Sequence, residues 1–364
     1  MVLLMIRLSS VAGEGGGGDG GAGDGEGGEG EANSGYLGKR LVKASLALGH
    51  ETYVLNREEI GVDIEKVQML LGFKEQGAHL VPGSFNDHQS LVKAVKLVDV
   101  VICAISGVHI RSHQILLQLK LVDAIKEAGN VKRFLPSEFG TDPARMGHAM
   151  EPGRVTFDDK MVVRRAIEEA GIPFTYVSAN CFAGYFLGGL CQPGRILPSK
   201  DSVVLFSDGN TKAIYVDEDD IAMYTIKSID DPRTLNKTLY IRPPQNILSQ
   251  REIVETWEKL IGKELHKSSI SEEQFLASLK GQNYAEQVGL THYYHVCFEG
   301  CLTNFKIGNK GVEASELYPE KFNILPSIIT CAAIYKMIVP SLLMSCFSFI
   351  PKLIIKGMIN LRKA

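Results

Sequence analysis

The sequence predicts an α/β protein: a doubly wound parallel sheet followed by a smaller lobe. Short apolar runs alternate with amphipathic stretches between residues 35 and 180, the pattern of strands joined by crossover helices. The run Asp99-Val-Val-Ile-Cys-Ala-Ile105 is apolar almost throughout, as a strand covered on both faces must be. After Asn180 the alternation gives way to turn-rich segments and separate helices.

Residues 36–49 read as a helix, with Leu37, Leu41, Ala44 and Leu48 at spacings of three and four. A β-rich run follows at 52–55, a helix at 62–76, and a strand at 79–81 that stops before Pro82-Gly83. Residues 91–97 are helical, 99–105 form the buried strand, and 112–129 a long helix closed by Gly129. Strands at 131–135 and 174–177 enclose a helix at 160–170. In the second half, 193–208 holds short strands, and helices are expected over 217–228, 249–261 and 271–279. Ser249 with Glu252 three residues on makes a capping box, and Ser271 is a further cap.

Composition bounds the function class. The 364 residues carry 39 Lys+Arg against 42 Asp+Glu, with 45% hydrophobic and 22% charged, which disfavours collagenous, disordered or nucleic-acid-binding proteins. The charge is unevenly placed. Residues 13–31 hold 12 of the 37 glycines and six acids with no base, so residues 1–31 are expected to be disordered. Residues 321–364 hold six bases and no acid around an apolar stretch at 324–351. That stretch is long enough to span a bilayer, but central Lys336 and Pro340 oppose insertion, so a membrane anchor is not favoured over a tail without a role. The apolar run at the N-terminus, MVLLMIRLS, is too short for a signal peptide. Seven scattered cysteines without a CxxC pair fit reduced, buried thiols in a cytoplasmic protein and suggest no metal. The expected division is 32–180 for cofactor binding, 181–320 for substrate, and 321–364 as an atypical tail.

A dinucleotide fold needs a glycine-rich turn that lets backbone N–H groups approach the pyrophosphate. Here Gly35 and Gly38 have the spacing of the last two glycines of a GxxGxxG turn, with Ala32 in place of the first. Segment 13–31 occupies the place of the preceding strand, so the first strand reads as altered or missing. Residues 2–8 could replace it, but would then loop six acids out beside a phosphate site. Arg57, just beyond the second strand, stands where an NAD site would carry an acid, and Arg there suits a 2′-phosphate, with Lys66 in support. On pattern alone each is equally a solvated surface cation. Ser106 and Gly107, and the stretch 178–182 with Asn180 and Phe182, lie at the sheet edge where a nicotinamide would rest. Lys160 is the best general base: Thr156, four residues earlier, removes the tyrosine that short-chain dehydrogenases pair with such a lysine. Pattern alone equally allows Lys160 to be a solvated cation on a surface helix.

Pro136-Ser-Glu-Phe-Gly140, the segment from Asp142 through Met146-Gly-His148 to Phe157, Lys160, and Val177-Ser-Ala-Asn-Cys-Phe-Ala-Gly-Tyr185 resemble the plant pinoresinol–lariciresinol reductases. These are grouped with isoflavone reductases and phenylcoumaran benzylic ether reductases, and the resemblance runs from about residue 35 to 319. It implies an NADPH-dependent reductase of furofuran lignans that works as a homodimer. In it, the lysine matching Lys160 deprotonates a substrate phenol, the ether opens to a quinone methide, and hydride reduces the benzylic carbon. The residues matching Arg57 and Lys66 hold the 2′-phosphate. His295 matches a substrate-pocket histidine that assists proton transfer, although an imidazole in an aromatic-rich element is as often a core residue. His148 and His292 read as surface or loop residues. The alternatives are a non-catalytic regulator of the NmrA type that senses NADP, or a defective isoform.

Overall fold

The computed structural model describes residues 2–8, 36–56, 64–105, 114–195 and 197–319. Gly35, Arg57, Ser106, Gly107, the segment 9–31 and the tail 321–364 lie outside them, so the expectations placed there concern residues beyond this description.

The chain opens with strand β1 (Val2–Arg7), helix α1 (Tyr36–Ala47), β2 (Glu51–Asn56), α2 (Ile64–Glu75), β3 (His79–Pro82), α3 (His88–Val95) and β4 (Val100–Ala104). It continues through α4 (Gln118–Ala128), β5 (Arg133–Leu135), α5 (Arg154–Glu169), β6 (Thr175–Ser178), β7 (Cys181–Phe182) and the short α6 (Ala183–Leu187). The second half adds β8 (Ser202–Phe206), β9 (Lys212–Val216), α7 (Glu218–Lys227), β10 (Lys237–Tyr240), β11 (Ile247–Ser249), α8 (Gln250–Ile261) and β12 (His266–Ile270). It ends with α9 (Glu272–Ser278), α10 (Tyr284–Cys297), β13 (Gly311–Glu313) and α11 (Ala314–Leu317). The Ser249 capping box forms as expected, its hydroxyl accepting from Glu252 N–H. Ser271 caps α9 and adds a box of its own with Gln274, and Asn283, which was not anticipated, does the same with Glu286 at the start of α10.

The main sheet runs β3-β2-β1-β4-β5. A parallel bridge between Phe134 and Phe174 carries it on to β6, β10 and β13. The second half of the chain therefore returns to the sheet, which is not completed at residue 180. Two smaller sheets, β11-β9-β7 and β12-β8, belong to the lobe, with Trp257 on the buried face of α8 at 1% exposure.

The first strand is present, which corrects the expectation that it could be missing and that all of 1–31 is disordered. Residues 2–7 fill the centre of the sheet, with Leu3, Leu4, Met5 and Ile6 at most 2% exposed. Its direction is the surprise. β1 is antiparallel to both neighbours: Leu4 faces Val54 on β2 and Ile102 on β4. A strand apolar on both faces satisfies its neighbours' hydrogen bonds in either direction, so burial alone does not set its polarity. The consequence is positional. The strand ends at the edge where β2 and β4 begin: Arg7 donates to Leu97 O at 2.8 Å and Leu8 N–H to Asp99 Oδ2 at 3.0 Å. β1 thus ends at the edge opposite the carboxyl ends of the parallel strands.

Helix α1 restores the usual geometry. It passes through the Gly49 turn into Glu51, the partner of Arg7, so its other end at Tyr36 lies at the carboxyl edge, about 18 Å away for twelve residues.

Candidate active site

The carboxyl end of β5 runs into Pro136-Ser-Glu-Phe-Gly140, and α5 packs beside it. Lys160 lies on the inner face of α5 and is only 6% exposed, which removes the surface-cation reading. Its Nζ donates to the Glu138 carbonyl at 2.8 Å. Burial pulls its pKa down to about 8, with the Arg164 cation adding to the fall while Glu138 and Asp142 oppose it. The group is therefore poised to lose its proton near neutral pH and to accept one from an acid such as a phenol.

Around it lies a network that the sequence reading did not single out. Arg164, one turn after Lys160, holds the Glu138 carboxylate with two bonds at 2.7 and 2.5 Å. It also pairs with Asp142 at 2.9 Å and lies over the Tyr176 ring at 4.1 Å. Asp142 in turn accepts from the Tyr240 hydroxyl at 2.6 Å. Each buried charge has a counter-charge, which is the condition for keeping ions in a dry interior. The spacing of four between Lys160 and Arg164 was the available signal, since it places both on one helix face.

On the other side, Asn180 adopts a left-handed φ of 59° and donates its side-chain amide to Ile241 O at 2.7 Å. Its backbone N–H bonds Gly140 O at 3.2 Å, and the Ser178 hydroxyl shares that acceptor at 3.1 Å. Asn180 and half-buried Phe182 thus stand at the same sheet edge as Lys160. Ser137 fixes the neighbouring loop by accepting from Ile105 N–H at 2.9 Å.

The cofactor side fits a dinucleotide. The N-terminus of α1 opens at the carboxyl edge, where its dipole favours a pyrophosphate, and Gly38 is buried within the first turn. Asn56, the last residue of β2, keeps a buried Oδ1 with no hydrogen-bond partner, at the position where a ribose hydroxyl could donate to it. Lys66 is half-buried in the first turn of α2.

The histidines divide differently from expectation. His148 is exposed in the loop before α5. His292 is not a surface residue: it sits half-buried on α10, stacks on Phe157 at 4.9 Å between ring centres and bonds the Thr156 hydroxyl at 2.9 Å. Gly153 permits this approach, because a Cβ there would lie 2.1 Å from Thr291 Oγ1. His295 is 2% exposed, with Nδ1 against Glu299 Oε2 at 2.5 Å and Nε2 accepting Met150 N–H at 3.0 Å. Both of its nitrogens therefore have protein partners in this conformation. The five described cysteines, Cys103, Cys181, Cys191, Cys297 and Cys301, are buried and unpaired. No helix among the described residues is long and apolar enough to cross a membrane.

A doubly wound α/β sheet with a helix N-terminus at its carboxyl edge and a buried lysine beside it defines a protein of the Rossmann class. The NmrA-like family model matches residues 32–326, and the chain belongs to that family. Within it, the chain is 80% identical over 287 residues to bifunctional pinoresinol-lariciresinol reductase 2 of Linum usitatissimum, covering 79% of this chain and 87% of that protein. It is 75% identical over 288 residues to the bifunctional pinoresinol-lariciresinol reductase of Forsythia intermedia, covering 79% and 92%. Among solved structures, AtPrR2 with NADP+ and (+)pinoresinol superposes with a TM-score of 0.76 at 60% identity, covering 79% of this chain and 92% of that one. The leucoanthocyanidin reductase–NADPH complex from Vitis vinifera matches with a TM-score of 0.76 at 34% identity, covering 83% and 98%.

Proposed function

We propose that this protein is an NADPH-dependent reductase of furofuran lignans, converting pinoresinol to lariciresinol and continuing to secoisolariciresinol. The observation that carries the reading is Lys160, buried at the sheet edge with its pKa lowered to about 8. The names of its relatives, at 75–80% identity, support the substrate class and both reduction steps.

In this reading Lys160 takes the proton of the substrate phenol, and the electron pair released opens the ether ring to a quinone methide. NADPH supplies the hydride that reduces the benzylic carbon. The Glu138 carbonyl orients the amine, and Arg164, itself paired with Asp142 and through it with Tyr240, fixes the side chain of the same Glu138. The turn at Gly35 and Gly38, with Asn56, Ser106, Gly107, Asn180 and Phe182, lines the cofactor, and Arg57 with Lys66 meets its 2′-phosphate. His295 orders the 146–150 loop through Met150 and serves proton transfer when that bond opens. Residues 32–180 carry most of the cofactor site and 181–320 most of the lignan site, in a cytoplasmic homodimer.

Incubating the full chain with each pinoresinol enantiomer and NADPH, with chiral separation of products, tests the proposal. Lariciresinol and secoisolariciresinol are the expected products. NADPH binding without any product would favour the non-catalytic regulator instead.

A further inference from the structure

We infer that His148, His295 and Glu299 form a binding site for a divalent cation of the zinc class. Nothing in the reduction chemistry requires such a site. The three side chains offer one ligand atom each, and these atoms all lie within 4.8 Å of one another. Two imidazoles and a carboxylate are the donor set that zinc takes when three protein ligands leave a fourth position for water.

The fold brings the ligands from two distant segments. His295 lies in the last turn of α10 and Glu299 two residues past its end, where the chain brings the carboxylate back against the imidazole. His148 arrives from the loop before α5, its ring edge-on to His295 with centres 5.7 Å apart. Glu299 already touches both: Oε1 lies 2.6 Å from His148 Nε2, and Oε2 lies 2.5 Å from His295 Nδ1. Without a cation those contacts carry protons, and a cation takes the protons' place. Side-chain exposures of 56% for His148 and 27% for Glu299 leave the site open to ions from solvent.

Proton accounting adds a consequence. His295 Nε2 now accepts Met150 N–H at 3.0 Å, so its proton is on Nδ1. A cation on Nδ1 leaves the ring neutral only if the proton moves to Nε2, where it faces the Met150 N–H. Binding therefore exchanges the Met150 anchor for a direct tie between the 146–150 loop and α10. The loop leads into the helix of Lys160, so the cation site draws His295 out of its contact with that loop and leaves the base, Lys160, untouched.

The test uses the full chain after chelator treatment, titrated with zinc by calorimetry and with cobalt by visible absorption. One equivalent of each should bind, and cobalt should give the d–d bands of a four-coordinate site. His148→Ala should weaken binding by more than about tenfold, the scale on which even outer-shell partners act. Because His148 is exposed, this variant should keep the metal-free melting temperature. Glu299→Gln should weaken binding to a similar degree. No uptake, which would leave a hydrogen-bonded cluster only, overturns the proposal. So does uptake that neither substitution changes.

Discussion

The central strand and the catalytic wall belong to one sheet, yet they are specified in different ways. β1 is fixed by apolarity alone: four consecutive side chains are buried on both faces, and the strand runs opposite to its neighbours without leaving the ladder unpaired. The wall around Lys160 is fixed atom by atom, with Glu138, Arg164, Asp142 and Tyr240 each bonded to a particular partner. A core slot accepts any strand of suitable hydrophobicity, in either direction. A buried charge network accepts only its own members.

That contrast can be broken at either end. The largest effect is expected from Ile6→Asp, which puts an unpaired carboxylate into the sheet centre where the native side chain is 0% exposed. Loss of the cooperative transition in a thermal melt is the expected outcome, whereas Ile6→Val should cost only about 0.5–1.5 kcal/mol. If Ile6→Asp melts like the parent, β1 is not in the sheet. Arg164→Met is next. It strands the Glu138 and Asp142 carboxylates and should cost about 3–5 kcal/mol in denaturant unfolding. A cost near zero would mean the network is replaceable like the strand. The smallest effect belongs to Arg7→Ala, whose pair with Glu51 is exposed and should be worth under about 1 kcal/mol.

How much was legible in the sequence follows the same division. Periodicity and caps placed the elements from α1 to β6 and helices α7 to α9, but not α10 or the later strands of the lobe, and the Ser249 box was readable because its partners are three residues apart. Strand direction was not readable, because nothing in Val-Leu-Leu-Met-Ile-Arg distinguishes one end from the other in hydrophobic content. Lys160 stood out by its place after Thr156, but its burial depends on Glu138 and Asp142, 22 and 18 residues away. Tyr240 was out of reach, since it lies 98 residues from the Asp142 it bonds. His292 was misplaced for a similar reason: its partner Thr156 lies 136 residues earlier.

The central claim is that Lys160 is the base, and the pH dependence of kcat/KM for pinoresinol with NADPH tests it most directly. Only the neutral amine accepts a proton, and its pKa is about 8, so the rate should fall about tenfold per unit below that pH and level off above it. Lys160→Met should lose this dependence and about 10²–10⁴-fold in rate while still binding NADPH. A parent rate that does not change across pH 8, or a Lys160→Met variant that turns over normally, would contradict the account.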